Sequence, residues 1–231
     1  MKPDERFQCV EGCTRCCTDK GHPLELTAGD IVRLCRQLSI GGRDFFDRYC
    51  EIIWNRVPDS FLLIPSVGLK FPCVFLQEST CAVYDVRPIH CRLFPEALVI
   101  DNCGPGIYRN CGYQCIDKGF DPSMYRKVYI RRLKDIDRHE LRATASCFDN
   151  FKYCAEIKTE QVKDINSFLS QVHNMEKTAT KRKLYYEMID KRHRERVESV
   201  FMKKMEKLDM KLLEEDISYL TVISKSFRDF A

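Results

Sequence analysis

The chain has 231 residues, 44% hydrophobic and 31% charged: enough apolar side chain for a buried core, and too much for a mainly disordered chain. Its net charge of +4 is too small to argue for nucleic acid, and the surplus is uneven: residues 1–120 carry 14 Lys and Arg against 15 Asp and Glu, residues 121–231 carry 24 against 19. No stretch reaches the roughly 18 apolar residues of a membrane span, and the opening residues lack the apolar core of a secretory signal. The expectation is a cytoplasmic chain without a membrane partner, whose 14 cysteines read first as metal ligands rather than disulfides because the cytosol keeps thiols reduced.

Four cysteines come first: Cys9, Cys13, Cys16 and Cys17, in the pattern C-x3-C-x2-C-C. The Cys13–Cys16 spacing lets two thiolates grip one ion, as in zinc and iron–sulfur sites, and Gly12 leaves the backbone free to turn there. Adjacent side chains point different ways, so Cys16 and Cys17 rarely serve one tetrahedral ion; two close metals or a polynuclear cluster use both. The other reading is that Cys17 is a small buried hydrophobe beside the site.

Leu26-Thr27-Ala28-Gly29-Asp30 then opens a helix, with Thr27 as N-cap and Asp30 as its capping-box partner. Ile31, Leu34, Cys35 and Leu38 make the inner face, and Gly41-Gly42 ends it. A second helix is expected over Arg43 to Trp54, with Phe45, Phe46, Tyr49 and Ile53 inward. Short apolar runs follow at Phe61–Ile64, Val67–Phe71, Val74–Leu76, Ala82–Tyr84 and Ala97–Ile100, bounded by Pro and Gly, and these read as small strands or extended loops.

The second cysteine group sits among those runs. Cys73 follows Pro72, Cys81 follows the polar turn Gln77–Thr80, and Cys91 follows Arg87-Pro88; Cys103 comes next, before Gly104. Each of the first three lies at an edge of a short element. The two groups of four could build two four-thiolate sites or one larger cluster. The whole pattern, C-x3-C-x2-C-C followed by P-C-x7-C-x2-Y-x2-R-P-x2-C-R-x-F-P, resembles the YkgJ-type cysteine-cluster family, on Cys9, Cys13, Cys16, Cys17, Cys73, Cys81, Tyr84, Arg87, Pro88, Cys91, Arg92 and Pro95. The Leu-Thr-x2-Asp-Ile helix start is similar to that family too. The resemblance covers about residues 7–105 and implies zinc or iron chelation. In some relatives, the flagellin lysine methylases, it implies an iron–sulfur cluster. Relatives tend to have Cys-Pro-Gly near the end of the domain, where this chain reads Cys103-Gly104-Pro105-Gly106.

Cys111 and Cys115 are either further ligands or loop thiols, whereas Cys35, Cys50, Cys147 and Cys154 read as core packing. His90 reads as a neighbour of Cys91 rather than a ligand. Arg87 and Arg92 either donate to thiolate sulfurs or hold their loop through carbonyls or Asp85. Cys9, Cys13 and Cys16 match the radical S-adenosylmethionine spacing, but those enzymes need a long α/β barrel that this half-chain is too short to supply.

All nine Pro and all ten Gly lie at or before Pro122, so residues 121–231 favour helix, with Asp121-Pro122 as a start and breaks near Thr159 and Thr178–Thr180. Val197, Phe201, Met205, Leu208 and Leu212 form one helical face. The basic residues Lys181 to Lys183 and Lys191 to Arg194, interspersed with Glu187, Glu195 and Glu198, read as a solvated face.

The expectation is therefore an α-rich α+β protein: a small irregular cysteine-rich metal domain over residues 1–120, then an all-helical extension over 121–231 that meets a protein partner. The cofactor is an iron–sulfur cluster in preference to zinc, because adjacent cysteines and a surplus of thiolates suit a polynuclear site. The metal ligands are Cys9, Cys13, Cys16, Cys17, Cys73, Cys81, Cys91 and Cys103. Two functional classes follow: a structural or sensing metal module, or an iron–sulfur enzyme that modifies a protein, as the methylase resemblance implies. The absence of nucleotide-binding and acid–base motifs favours the first.

Overall fold

Strand pairing, rather than helix propensity, organises the chain between Leu24 and Leu69. The computed structural model describes residues 14–18, 24–57, 60–92, 127–157 and 184–208. These form helix α1 (Arg15–Thr18), strand β1 (Leu24–Glu25), helices α2 (Ala28–Leu38) and α3 (Gly42–Tyr49), and strands β2 (Cys50–Arg56) and β3 (Leu62–Leu69). There follow a hairpin of β4 (Leu76–Gln77) and β5 (Thr80–Cys81), a 3-10 turn at Tyr84–Val86 and helix α4 (Ile89–Arg92). The second half gives helix α5 (Lys127–Phe148), a 3-10 turn at Asn150–Tyr153, strand β6 (Ala155–Glu156) and helix α6 (Lys191–Glu206).

Helix α2 starts as its sequence dictates, since Thr27 caps it and shares a capping box with Asp30. It ends differently. Ser39, at φ 53°, takes the left-handed cap and donates its N–H to the Arg36 carbonyl. Gly41 instead caps the start of α3. Gly42 is required by packing: a Cβ there would lie 2.1 Å from the Met205 carbonyl oxygen, so the end of α6 rests directly on the first turn of α3.

The second helix stops at Tyr49, five residues short of the expected Trp54, and the chain turns into β2. Ile52, Ile53 and Trp54 are β-branched or aromatic and suit a pleated surface. Every β2 residue pairs antiparallel with β3, from Cys50↔Leu69 to Arg56↔Leu63. This ladder overrides the helical reading.

Strand β3 is central. It joins two runs that read as separate, and continues through Pro65. With β2 along one edge, β1 and β6 share the other edge at opposite ends: Leu24 pairs with Leu69, and Leu62 with Glu156. Proline cannot donate to a ladder, so a central strand tolerates it only where no strand asks for the N–H. Pro65 meets that condition, because it faces the interval between β1 and β6. Its carbonyl, on the same side, accepts from Asn150 Nδ2 at 2.9 Å.

The second half is helical in α5 and α6, and its all-helical expectation gives way at Ala155–Glu156, where β3 recruits a strand. One buried apolar cluster takes in Ile31 and Leu34 of α2, Phe45 of α3, Trp54 and Leu63 of the sheet, and Phe148, Val197, Phe201 and Met205 of the second half. Core residues thus lie on both sides of residue 120. Phe201 stacks on Phe148 at 5.2 Å and meets Tyr153 edge-on at 6.0 Å. Asp190 caps α6, accepting from the Arg192 and His193 amides. Lys204 Nζ donates to the Phe148 carbonyl at 2.8 Å, so one cation closes the C-terminus of α5 and ties it to α6. Val197, Phe201, Met205 and Leu208 are all buried, as the expected helical face requires. Leu212, Ala97–Ile100, the Asp121-Pro122 start and the breaks near Thr159 and Thr178–Thr180 lie outside the described residues.

Candidate metal centre

Four of the expected ligands have described side chains: Cys17, Cys73, Cys81 and Cys91, each partly buried. Cys16 lies within α1, but its side chain, like Cys9, Cys13, Cys103, Cys111 and Cys115, falls outside the described residues.

Cys17 sits in the single turn of α1, where its N–H donates to the Thr14 carbonyl at 2.8 Å. Its own carbonyl accepts from the Cys73 N–H at 3.0 Å. This bond spans the 55 residues of sequence between Cys17 and Cys73 and brings the backbones of these two cysteines together. From Cys73 the chain enters the β4–β5 hairpin, with the Leu76 N–H donating to the Cys73 carbonyl at 3.1 Å. Cys81 stands opposite Leu76 in that hairpin, as the polar turn at Gln77–Thr80 predicts, and Glu78 at the turn has φ 53°. Cys91 lies in α4, its N–H on the Pro88 carbonyl at 2.9 Å.

A simple rule places these thiols. Each lies two residues from an apolar anchor: Cys73 from Phe75, Cys81 from Val83, Cys91 from Ile89, and all three anchors are at most 4% exposed. Phe75 packs against Tyr49 at a ring separation of 5.1 Å. The anchors hold a segment with little regular structure of its own, in which the thiols are partly buried. Among the described residues no three Cys, His, Asp or Glu side chains close around one point. The donor chemistry nevertheless fits zinc or iron, since cysteine thiolates are the soft ligands both accept.

The residues around these thiols make contacts of their own. His90 Nδ1 lies 3.3 Å from the Glu25 carbonyl. Arg87 donates from Nε to the Tyr84 carbonyl at 3.0 Å and stacks its guanidinium 3.8 Å over the Tyr84 ring, so it holds the loop. The Arg92 side chain lies outside the described residues. Cys35 and Cys50 are buried, each 3% exposed. Burial first, and Cys35 second, pushes the Cys50 thiol far above the ordinary thiol range, which favours its protonated form. Cys147 packs against the core cluster, and Cys154 reaches the Asn150 carbonyl at 3.8 Å. The two do not share a helical face, because α5 ends at Phe148.

Sequence reasoning misses the polar junction behind α4. Asp30 is fully buried, and its Oδ2 accepts from the Thr27 N–H at 3.0 Å. Its Oδ1 accepts from the Ile89 N–H at 2.7 Å and from Arg33 Nη2 at 2.6 Å. Arg33 Nη1 reaches Glu140 Oε1 at 3.0 Å, and Glu140 is 1% exposed. Burial lowers the Arg33 pKa, but Asp30 and Glu140 more than offset it and leave it above the ordinary arginine value. The capping box points to Asp30 as a local device; nothing near it in sequence points to Ile89 or Glu140.

Among the described residues no helix is long and apolar enough to cross a membrane. Residues 8–116 match a family model named CxxCxxCC and described as "Putative zinc- or iron-chelating domain". No curated protein and no solved structure matches the chain.

Proposed function

We propose, on the premise that residues 8–116 of this chain belong to the CxxCxxCC cysteine-cluster family, that the protein holds an iron–sulfur cluster through Cys9, Cys13, Cys16, Cys17, Cys73, Cys81, Cys91 and Cys103. The observation that supports this reading is the Cys73 N–H to Cys17 carbonyl bond, which brings one member of each cysteine group together. Two joined groups containing an adjacent cysteine pair suit a polynuclear site better than a compact four-thiolate zinc site. When bound, such a cluster supplies electron transfer or a rigid cross-link. The chain's own residues supply soft donors and, through Phe75, Val83 and Ile89, fix where those donors stand.

The role we assign is a structural or sensing metal module in the cytoplasm, where thiols stay reduced. Its second half meets a protein partner. Phe151, at 72% the most exposed large apolar side chain among the described residues, lies in that half and supports this. Nucleic acid is disfavoured because acidic partners accompany the basic residues of that half: Lys191 lies 3.8 Å from Glu195, and Lys204 2.9 Å from Asp149.

The test is anaerobic purification followed by absorbance and elemental analysis of one sample. A brown protein with a broad band near ~400 nm, iron and sulfide is the expected result. A colourless protein with stoichiometric zinc replaces the cluster by a structural zinc site. In the same assay Cys16→Ser is expected to lose most of its metal and much of its solubility, because site formation and folding are coupled. Full metal retention in that variant removes Cys16 from the ligand set.

A further inference from the structure

Two carboxylates and one guanidinium lie together behind the cysteine segment, with Asp30 and Glu140 essentially excluded from water and the Arg33 side chain 14% exposed. Such a group is a poor device for stability alone. Desolvation offsets most of the attraction, and apolar residues of similar volume often do as well. Its geometry shows what it fixes. The Asp30 carboxylate makes three hydrogen bonds to three different places: the start of its own helix at Thr27, the guanidinium of Arg33, and the first amide of α4 at Ile89. Cys91 follows Ile89 by two residues on the same short turn. On the other side Arg33 binds Glu140 of α5, and the α5 residue Thr144 accepts from the Ala28 N–H at 2.9 Å. Gly29 keeps the space open, since a Cβ there would lie 2.4 Å from Glu140 Oε2.

We infer that Asp30, Arg33 and Glu140 are positioning residues for the metal centre, which fix Cys91 and couple metal binding in the first half to the docking of α5. This rests on the reading that Cys91 is a ligand. Asp30 acts by holding the amide that orients α4. Because coupling between two sites is reciprocal, whatever α5 contributes to metal affinity, metal contributes to the docking of α5.

The test uses the metal-free full chain under anaerobic conditions, with cobalt(II) alone as the probe, read by its thiolate charge-transfer band and by amide exchange. Asp30→Asn keeps the size of the side chain but removes the charge and one of its two acceptor oxygens, so it can no longer accept from both the Thr27 and the Ile89 amides while holding Arg33. It is expected to weaken cobalt binding roughly tenfold, as loss of an outer-shell partner does elsewhere. Glu140→Gln, one step further from the thiols, is expected to weaken it by less than Asp30→Asn does. In the wild type, cobalt should slow exchange across residues 127–148; in Glu140→Gln that slowing should shrink.

Val197→Ala supplies the control, destabilising the core without touching the network. If it weakens cobalt binding as much as Asp30→Asn, the network is merely structural and the inference falls. It falls too if both network variants bind within twofold of wild type. A wild type with no thiolate band instead removes the ligand reading. Exchange at residues 89–92 then still decides the positioning step: faster in Asp30→Asn supports it, unchanged overturns it.

Discussion

The sheet with its helices and the cysteine-bearing segment from Phe71 to Arg92 belong to one chain and obey different rules. In the first region β2 pairs residue for residue with β3, and Phe45, Phe148, Phe201 and Met205 are buried to within 1%. Each such side chain removed from water contributes about 1.5–3 kcal/mol, so burial is a main source of this region's stability. In the second region the strands are two residues long, the helix is a single turn, and one apolar anchor beside each thiol ties it down. The lesson is that the core supplies position while the segment supplies donors. A segment with so little core of its own gains most from a ligand that binds only its folded form.

That contrast can be broken most severely from the core. Phe201→Ala removes a ring that meets both Phe148 and Tyr153, and should cost about 3–5 kcal/mol in a urea titration. Because the segment borrows its position from the core, its metal should be lost in the same transition. Metal retained beyond the unfolding midpoint would show the segment to be self-sufficient.

The next largest effect sharpens the comparison at the junction. Phe75→Ala removes the anchor of Cys73 against Tyr49 and should cost about 3 kcal/mol, the lower end for a buried aromatic, because the site lies at the edge of the core. The loss should be larger for the metal-loaded protein than for the metal-free protein. Equal losses in the two forms would separate Phe75 from the donor segment.

The smallest effect separates the fully buried thiols from the partly buried ones. Cys50 holds its proton in the folded chain, while in the unfolded chain it releases it above a pH of about 8.5. Above that pH the native state binds more protons than the unfolded one, so stability is fully present below it and falls as pH rises. Cys50→Ala should flatten that fall between about pH 8.5 and 10, read as the shift of the urea midpoint with pH. Parallel slopes in the two proteins would mean that Cys50 titrates no differently when folded.

Local chemistry made some of this legible in the sequence. The capping box of Thr27 and Asp30 is confined to one turn, and the face of Val197, Phe201, Met205 and Leu208 is confined to one helix, so neither needs a distant partner to be read. The hairpin that presents Cys81 was visible as a polar turn between apolar runs. The sequence misled where a distant strand decided the outcome. Cys50 to Trp54 reads as the end of an amphipathic helix until β3 claims it, and Pro65 reads as a break until the empty stretch between β1 and β6 makes its missing N–H harmless. Asp30's bond to Ile89 and Arg33's to Glu140 cross 59 and 107 residues, and no local pattern encodes them.

The arrangement of β3 has a consequence for how the chain comes to be folded. Its second edge is completed by Ala155–Glu156, and the first turn of α3 is covered only when Met205 arrives. During synthesis, which delivers the N-terminal part first, β2 and β3 can pair as soon as they emerge. The edge beside Pro65 and the apolar surface of α3 must then wait for more than 80 further residues. Contacts so distant along the chain slow the search for the native state. The nascent first half therefore carries an open sheet edge beside its cysteines for most of its time on the ribosome.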